Sequence, residues 1–171
     1  RHCVRYLEAM DADLVFILSG DQLCRINLNK MFAAHCESRA DVTLACIGIP
    51  RESVSRCGVV RTDAGGRIID FAEKPSEPAV VEKFRRPDGG AAPFSGSMGI
   101  YLFSKKVLHD LLAQYPGEHD FGKGIFPKTI STHHIQRYAY EGYWEDIGTI
   151  RSYFEASMGL LGLHFLSKQK I

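Results

Sequence analysis

Residues 14–18 are the stretch that most constrains the fold of this chain. They are five consecutive apolar residues, and Ser19, Gly20 and Asp21 follow them directly. An apolar run without alternation predicts a strand buried on both faces of a parallel sheet. Gly20 permits a sharp turn, so Asp21 lies at the carboxyl end of the strand, where open α/β sheets bind ligands. An aspartate there can also cap a turn or a helix, and that alternative stays open.

The first fifty residues predict a strand–helix–strand unit. A helix is expected over residues 1–11, and it leads into the strand over 13–18. Asn27 is suited to cap a second helix that ends near residue 39, and residues 41–49 form a second apolar strand. Because the connections are short, the two strands are expected to be parallel neighbours.

The rest of the chain predicts an antiparallel insert in a mainly parallel α/β sheet. Residues 58–63 and 67–71 flank a glycine turn and are expected to pair as a hairpin. Residues 76–93, with their prolines, glycines and mixed charges, are expected to form a long surface loop. The further predicted elements are a strand over 96–103, a helix after Ser104, a weaker helix from Asp120 toward Thr129, a strand over 135–140, a loop over 141–148, and a final helix after Thr149 with Ile150, Tyr153, Phe154, Met158 and Leu161 facing inward.

Composition argues against several classes of protein. A net charge of +1 offers no footprint for nucleic acid or an anionic membrane. No apolar run approaches the roughly 20 residues that span a bilayer. The five cysteines include no CxxC pair, which indicates reduced thiols in a cytosolic type of compartment rather than disulfides or a zinc site. These cysteines are Cys3, Cys24, Cys36, Cys46 and Cys57. His133 and His134 are expected to be solvated.

Two aspartates are candidates for a metal site. Asp21 and Asp146 lie far apart in the sequence, yet both follow predicted strands and could meet at one edge of the sheet. Two open carboxylates are ligands that suit Mg²⁺, with water and substrate phosphates completing its octahedron. The alternative is that Asp146, or the neighbouring Glu145, merely caps the helix that starts at Thr149.

Other polar residues suggest a sugar phosphate site. Glu73 can accept hydrogen bonds from sugar hydroxyls, and Lys74 is a compact charge suited to a phosphate. An exposed ion pair between the two is the alternative. Ser97 lies between two glycines, Gly96 and Gly99, where the backbone can approach a ligand or simply form a bulge. No GxSxG, P-loop or GxGxxG motif occurs in the sequence.

Five stretches in this order are far more specific than any one of them. They are Phe16–Asp21, Phe71–Pro75, Ser97–Tyr101, His119–Gly122 and Tyr143–Thr149. From about residue 4 to about residue 160, the chain resembles the sugar-1-phosphate nucleotidyltransferases and, within them, the ADP-glucose pyrophosphorylases (glucose-1-phosphate adenylyltransferases). The resemblance implies a Rossmann-like nucleotide-diphospho-sugar transferase fold.

The resemblance also implies a reaction. ATP and glucose 1-phosphate would give ADP-glucose and pyrophosphate, with Mg²⁺ as cofactor, in glycogen or starch synthesis. It implies an allosteric homo- or hetero-tetramer in the full-length parent, in the cytoplasm or, in a plant or alga, the plastid. The family's motifs would make Asp21 and Lys74 catalytic, Asp21 and Asp146 the Mg²⁺ ligands, and Gly58, Glu73, Lys74, Ser97 and Asp146 the substrate-binding residues.

Departures from the family pattern generate further expectations. Residues 1–162 would be the C-terminal part of the catalytic domain, and 163–171 the start of a linker. The family's glycine-rich loop has no counterpart in these 171 residues, so the chain by itself is expected to lack part of the ATP site and to be inactive. Gln22, Cys24 and Asn27 stand where the family usually has His, Tyr and Asp.

Two other functions stay open at this point. One is a pyrophosphorylase that makes UDP-, dTDP- or GDP-sugars, since the sugar-side motifs are shared. The other is a non-catalytic regulatory homologue that binds the sugar phosphate without turnover. A metal-dependent glycosyltransferase is disfavoured, because Asp11-Ala-Asp13 precedes its strand instead of following it.

Overall fold

The computed structural model describes residues 4–87 and 89–161, apart from the side chain of Leu161. The strands are β1 (Leu14–Leu18), β2 (Gln22–Cys24), β3 (Val42–Ile49), β4 (Gly58–Thr62), β5 (Ile68–Glu73), β6 (Phe94–Ser104), β7 (Ile135–Tyr140) and β8 (Trp144–Asp146). The helices are α1 (Val4–Ala9), α2 (Leu28–Ser38), α3 (Pro78–Glu82), α4 (Lys105–Gln114), α5 (Phe126–Thr129) and α6 (Ile150–Leu161), with a 3₁₀ helix over Arg51–Arg56 and a π-helix over Phe121–Ile125. The expected linker over 163–171 lies outside the described residues.

Strand β6 is the centre of the six-stranded main sheet. The order is β5-β4-β6-β3-β7, and β1 also pairs with β6. Along one side, seven of the eleven residues of β6 pair with β3, in two stretches over 94–97 and 101–103. Along the other side, β6 pairs with β4 near its start and with β1 near its end. The length of β6 therefore lets a single strand join the hairpin to the rest of the sheet.

Two expectations about strand pairing are wrong. Strands β1 and β3 are not neighbours, because β6 lies between them and is antiparallel to both. The sheet is also not mainly parallel, since among the described strands only β3 and β7 pair in parallel. Continuous apolar runs predict strands, but they carry no information on which strand lies alongside. Strands β1, β3 and β7 still share one direction, so their carboxyl ends point the same way.

Burial in β1 also differs from the expectation. The strand was expected to be buried on both faces, but its residues are only partly buried and Leu18 is 52% exposed. Among the described strands, β1 pairs with β6 alone. The predicted hairpin and the predicted start of the second helix are both present in the structure. Residues 58–62 and 68–73 form the antiparallel hairpin, and the Asn27 side chain accepts a hydrogen bond from the Lys30 N–H at 3.1 Å at the start of α2.

The predicted surface loop over 76–93 contains a helix and part of a core. Pro78 occupies the first turn of α3, a position that tolerates the missing N–H. Val81 and Phe84 are 5% and 2% exposed and belong to a cluster with Val54 and Phe94. Their three-residue spacing is the helical signal that the abundance of proline and charge obscured.

The orientation predicted for α6 is wrong. Ile150 is 91% exposed, and Tyr153 and Phe154 are each 61% exposed, whereas Ser152 and Ala156 are buried. The Ser152 N–H donates to Thr149 Oγ1 at 3.0 Å, and the Thr149 N–H donates to Ser152 Oγ at 3.2 Å. These reciprocal hydrogen bonds satisfy polar groups of Ser152, which lies on the buried side of the helix. Met158 is also exposed, and the side chain of Leu161 lies outside the described residues.

Four of the five cysteines lie within the described residues. Cys24, Cys36, Cys46 and Cys57 are free thiols, and Cys3 lies outside the described residues. Burial raises the pKa of Cys46 to about 12 and that of Cys57 to about 11. Within residues 4–87 and 89–161, no helix is long and apolar enough to cross a membrane.

His35 is a buried histidine on α2 that packs against β3. It is 3% exposed on α2, and its Nδ1 lies 2.7 Å from the Oγ1 of the fully buried Thr43 on β3. Burial lowers the pKa of His35, with nearby His134 acting in the same direction and Asp41 opposing it. The folded chain therefore holds this ring neutral at pH values where an exposed histidine takes up a proton.

Acidification should destabilise the fold through His35. As pH falls below about 6.5, the unfolded chain binds a proton at this position before the folded chain does, so the free energy of unfolding decreases. Urea unfolding at pH 7 and pH 5 measures this loss. We expect a smaller loss for His35→Gln, whose uncharged amide can still reach Thr43. Equal losses in the two proteins would exclude His35 as the cause.

Candidate active site

A short antiparallel ribbon brings the two distant aspartates together. Strands β2 and β8 pair with Gln22 opposite Asp146 and Cys24 opposite Trp144. The Ile147 N–H also donates to the Asp21 carbonyl at 2.9 Å. The segment over 141–148 thus contains a strand and not only the expected loop. Strands of three residues are too short to show a period of two, so the ribbon could not be predicted from the sequence.

The carboxylates of Asp21 and Asp146 flank the backbone of Gly148. A Cβ on Gly148 would lie 2.9 Å from Asp146 Oδ1 and 3.4 Å from Asp21 Oδ2. The missing side chain therefore leaves a space between two carboxylates, which suits a hard divalent cation that keeps water and phosphate ligands. Among the described residues, no group of three or more His, Cys, Asp or Glu side chains is arranged to hold a metal. Two carboxylates are what a Mg²⁺ site shared with a phosphate substrate needs.

The capping alternative for Asp146 is partly correct. Its Oδ1 accepts a hydrogen bond from the Gly148 N–H at 2.9 Å, so the carboxylate does fix the turn before α6. The start of α6 itself is held by Thr149 and Ser152. The second carboxylate oxygen of Asp146 has no hydrogen bond in the described structure and is free for a ligand.

Lys74 follows the end of β5 in a strained conformation. Its φ of 47° lies in the left-handed region, which is unfavourable for a residue with a Cβ. The Lys74 N–H donates to the Cys57 carbonyl at 3.2 Å, which fixes the segment against the start of β4. Neither Glu73 nor Lys74 belongs to an ion pair of the described residues. Strain of this kind persists where surrounding contacts fix the backbone, and it is common at functional sites.

The Glu73 carboxylate lies between two glycines. A Cβ on Gly122 would lie 2.5 Å from Glu73 Oε2, and one on Gly58 would lie 2.8 Å from the same atom. Burial raises the pKa of Glu73, and the charge of Asp120 adds to this effect, while Lys74 lowers it. The two glycines let backbone pack around a carboxylate that faces the cavity with few hydrogen-bond partners.

Ser97 lies on β6 where the strand is irregular. The pairing of β6 with β3 shifts register opposite Leu44 and Cys46. Ser97 Oγ accepts a hydrogen bond from the Gly99 N–H at 3.3 Å, and Gly99 has a φ of 69°. The two interpretations of Ser97 therefore coexist, since it stabilises an irregularity of the strand and also borders the cavity.

All six residues predicted from the sequence border one cavity of about 320 Å³. They are Asp21, Gly58, Glu73, Lys74, Ser97 and Asp146. Sequence reasoning did not assign site roles to several other lining residues, namely Gln22, Arg56, Tyr101, Asp120, Gly122 and Trp144. The motif over His119–Gly122 was a signal for two of them. Asp120 accepts the Lys123 N–H at 2.9 Å and so starts the π-helix, a distortion often found at functional sites.

Comparisons with known proteins identify the family of this sequence. The sequence model of the nucleotidyl transferase family matches residues 3–162. This chain belongs to the nucleotidyl transferase family. The match confirms the resemblance inferred from the five motifs and the nucleotide-diphospho-sugar transferase class of α/β fold.

A named relative narrows the comparison within the nucleotidyl transferases. The chain is 38% identical over 164 residues to glucose-1-phosphate adenylyltransferase large subunit 1, chloroplastic/amyloplastic, of Zea mays. The match covers 91% of this chain and 32% of the maize protein, so the chain spans about a third of that relative's length.

Adding a methyl group at Gly122 should disturb the cavity. The new Cβ of Gly122→Ala would contact the carboxylates of Glu73 and Asp120, which have to move; because these are the ends of flexible side chains, we expect a cost of about 1 kcal/mol, the low end for overpacking. Gly117→Ala is the matched control, because nothing lies within 4 Å of its Cβ position. Urea unfolding measures both. Equal stability of the two variants would contradict the close contact of Gly122 with the Glu73 carboxylate.

Comparing two substitutions isolates the strain at Lys74. Lys74→Gly and Lys74→Ala both remove the charge, but only glycine adopts the left-handed backbone without penalty. We expect Lys74→Gly to be more stable than Lys74→Ala by about 1 kcal/mol in the free energy of unfolding. An alanine variant as stable as the glycine variant would show that the backbone relaxes and holds no strain.

Proposed function

We propose that this chain carries the sugar-phosphate part of the active site of a glucose-1-phosphate adenylyltransferase. The reaction is ATP plus glucose 1-phosphate giving ADP-glucose and pyrophosphate. The observation that carries the proposal is the convergence of a carboxylate pair, Asp21 and Asp146, and a Glu73–Lys74 pair on one cavity. The family and the maize relative's name support the choice of reaction.

In this proposal Glu73 binds the glucose ring. A carboxylate accepts hydrogen bonds from adjacent sugar hydroxyls, and Glu73 is free to do so because it forms no ion pair with Lys74. The backbones of Gly58 and Gly122 fix its position from two sides. Ser97 adds a hydroxyl from β6 on the wall of the same cavity.

Lys74 binds the phosphate of glucose 1-phosphate in this proposal. An ammonium group is a compact charge suited to a phosphate, and its strained backbone fixes the position from which the side chain extends. Arg56 lines the same cavity and adds a second positive charge. The two charges orient the phosphate so that one of its oxygens can attack the α-phosphorus of ATP.

Phosphoryl chemistry of this kind depends on position and electrostatics. The bond from the sugar-phosphate oxygen to the α-phosphorus forms as the bond to the β-phosphate oxygen breaks, and pyrophosphate leaves with that electron pair. A Mg²⁺ ion bound by Asp21 and Asp146 would neutralise charge on the phosphates. The part played by the chain is to hold the two carboxylates on the ribbon and to keep Lys74 at the phosphate.

Binding of glucose 1-phosphate, measured by isothermal titration calorimetry, tests the proposal without requiring turnover. Lys74→Ala should weaken binding by about 10- to 100-fold, the cost of one charge-assisted interaction. Lys83→Ala removes an exposed lysine outside the cavity and should leave binding unchanged. Asp21→Asn should weaken the binding of glucose 1-phosphate in the presence of Mg²⁺ more than it weakens the binding measured without metal.

Two results would contradict the proposal. Equal affinity for glucose 1-phosphate and inorganic phosphate would mean that the glucose ring makes no contacts in the cavity. Equal weakening by Lys74→Ala and Lys83→Ala would mean that the phosphate binds elsewhere on the chain.

A further inference from the structure

Gln22 contacts one of the two carboxylates directly. It is the first residue of β2, opposite Asp146 on the ribbon, and its Nε2 donates to Asp21 Oδ1 at 3.3 Å. A carboxylate only accepts hydrogen bonds, which fixes the amide with its nitrogen toward Asp21. The other oxygen of Asp21, Oδ2, is the one that lies beside the empty Cβ position of Gly148.

Each of the two carboxylates therefore has one oxygen already engaged. Asp21 Oδ1 accepts from the Gln22 side chain, and Asp146 Oδ1 accepts from the Gly148 N–H. In the described part of the chain, Asp21 Oδ2 and Asp146 Oδ2 accept no such hydrogen bond. Asp21 therefore presents one unengaged oxygen on the side of Gly148, where the nearby oxygen of Asp146 is the Oδ1 that accepts the Gly148 N–H.

The surroundings of the Gln22 side chain do not favour the stability of the fold. Its Oε1 is buried and has no hydrogen-bond partner among the residues that the structure describes. A buried acceptor without a partner is unfavourable, because folding removes its hydrogen bonds to water. The side chain is nevertheless held at the cavity, with its one hydrogen bond directed at a candidate metal ligand.

We propose that Gln22 is a positioning residue that restricts Asp21 to one coordinating oxygen and thereby favours Mg²⁺ over Ca²⁺. Mg²⁺ requires a near-ideal octahedron and takes single carboxylate oxygens together with water, whereas Ca²⁺ accepts more ligands and chelating carboxylates. This inference rests on the proposed function, since it assumes that Asp21 and Asp146 bind the cation.

Competition with Mn²⁺ tests the inference without an activity assay. Electron paramagnetic resonance measures the free Mn²⁺ in the presence of the protein. Added Mg²⁺ or Ca²⁺ displaces bound Mn²⁺, and the rise of the free Mn²⁺ signal gives the affinity of the competing ion. In Gln22→Leu, Asp21 can rotate and chelate, so Mg²⁺ affinity should fall about tenfold, as is typical when a partner of a metal ligand is lost. Ca²⁺ affinity should change by less than about threefold.

Three further variants separate the possible causes. Gln22→Met repeats the loss of the donor with a different shape. Gln114→Leu makes the same change as Gln22→Leu at an exposed position on α4 and should change nothing. Asp21→Asn should abolish site-specific Mn²⁺ binding. The melting temperature of both Gln22 variants should stay the same or rise, because a buried unsatisfied acceptor is removed.

The outcomes distinguish this inference from the proposed function. If Asp21→Asn binds Mn²⁺ as well as the wild type does, or if the wild type binds none, the metal site of the proposed function is wrong and the role of Gln22 with it. If binding depends on Asp21 while both Gln22 variants keep the ratio of Mg²⁺ to Ca²⁺ affinity, only the role of Gln22 is overturned.

Discussion

The pairing of β2 with β8 is the interaction on which the candidate site depends. Three residue pairs, supplemented by the hydrogen bond from Ile147 to the Asp21 carbonyl, join the turn after β1 to the segment before α6. Without this ribbon the two carboxylates would lie on independent loops, and holding a cation between them would cost the entropy of ordering both. The ribbon fixes that geometry during folding, before any ligand binds.

A second feature of the site is the close approach of glycine backbone to carboxylate side chains. Gly58 and Gly122 lie against Glu73, and Gly148 lies between Asp21 and Asp146. At each place a side chain would occupy the space where a ligand or a charged oxygen has to fit. The left-handed Lys74 adds backbone strain next to these contacts. The cavity therefore combines small residues and strain, which are unfavourable for stability, with charged groups of the kind that the proposed sugar phosphate requires.

The structure brings the residues singled out from the sequence to one cavity, whereas the predicted arrangement of the sheet is wrong. Asp21, Lys74 and Asp146 could be singled out because charged residues follow apolar runs in a recognisable order of motifs. The position of β6 between β1 and β3 could not, because apolar runs do not specify their neighbours. The ribbon was too short to show periodicity. The orientation of α6 could not be predicted either, because the large apolar side chains of its first turns are exposed while Ser152 and Ala156 are buried.

A crystal structure with glucose 1-phosphate and Mg²⁺ is the most direct test of the central claim that one cavity binds both. The account predicts the phosphate beside Lys74, the glucose hydroxyls on Glu73, and the metal ion between Asp21 and Asp146 with the β2–β8 ribbon unchanged. Glucose 1-phosphate bound outside this cavity, or a metal ion held away from the two aspartates, would contradict it.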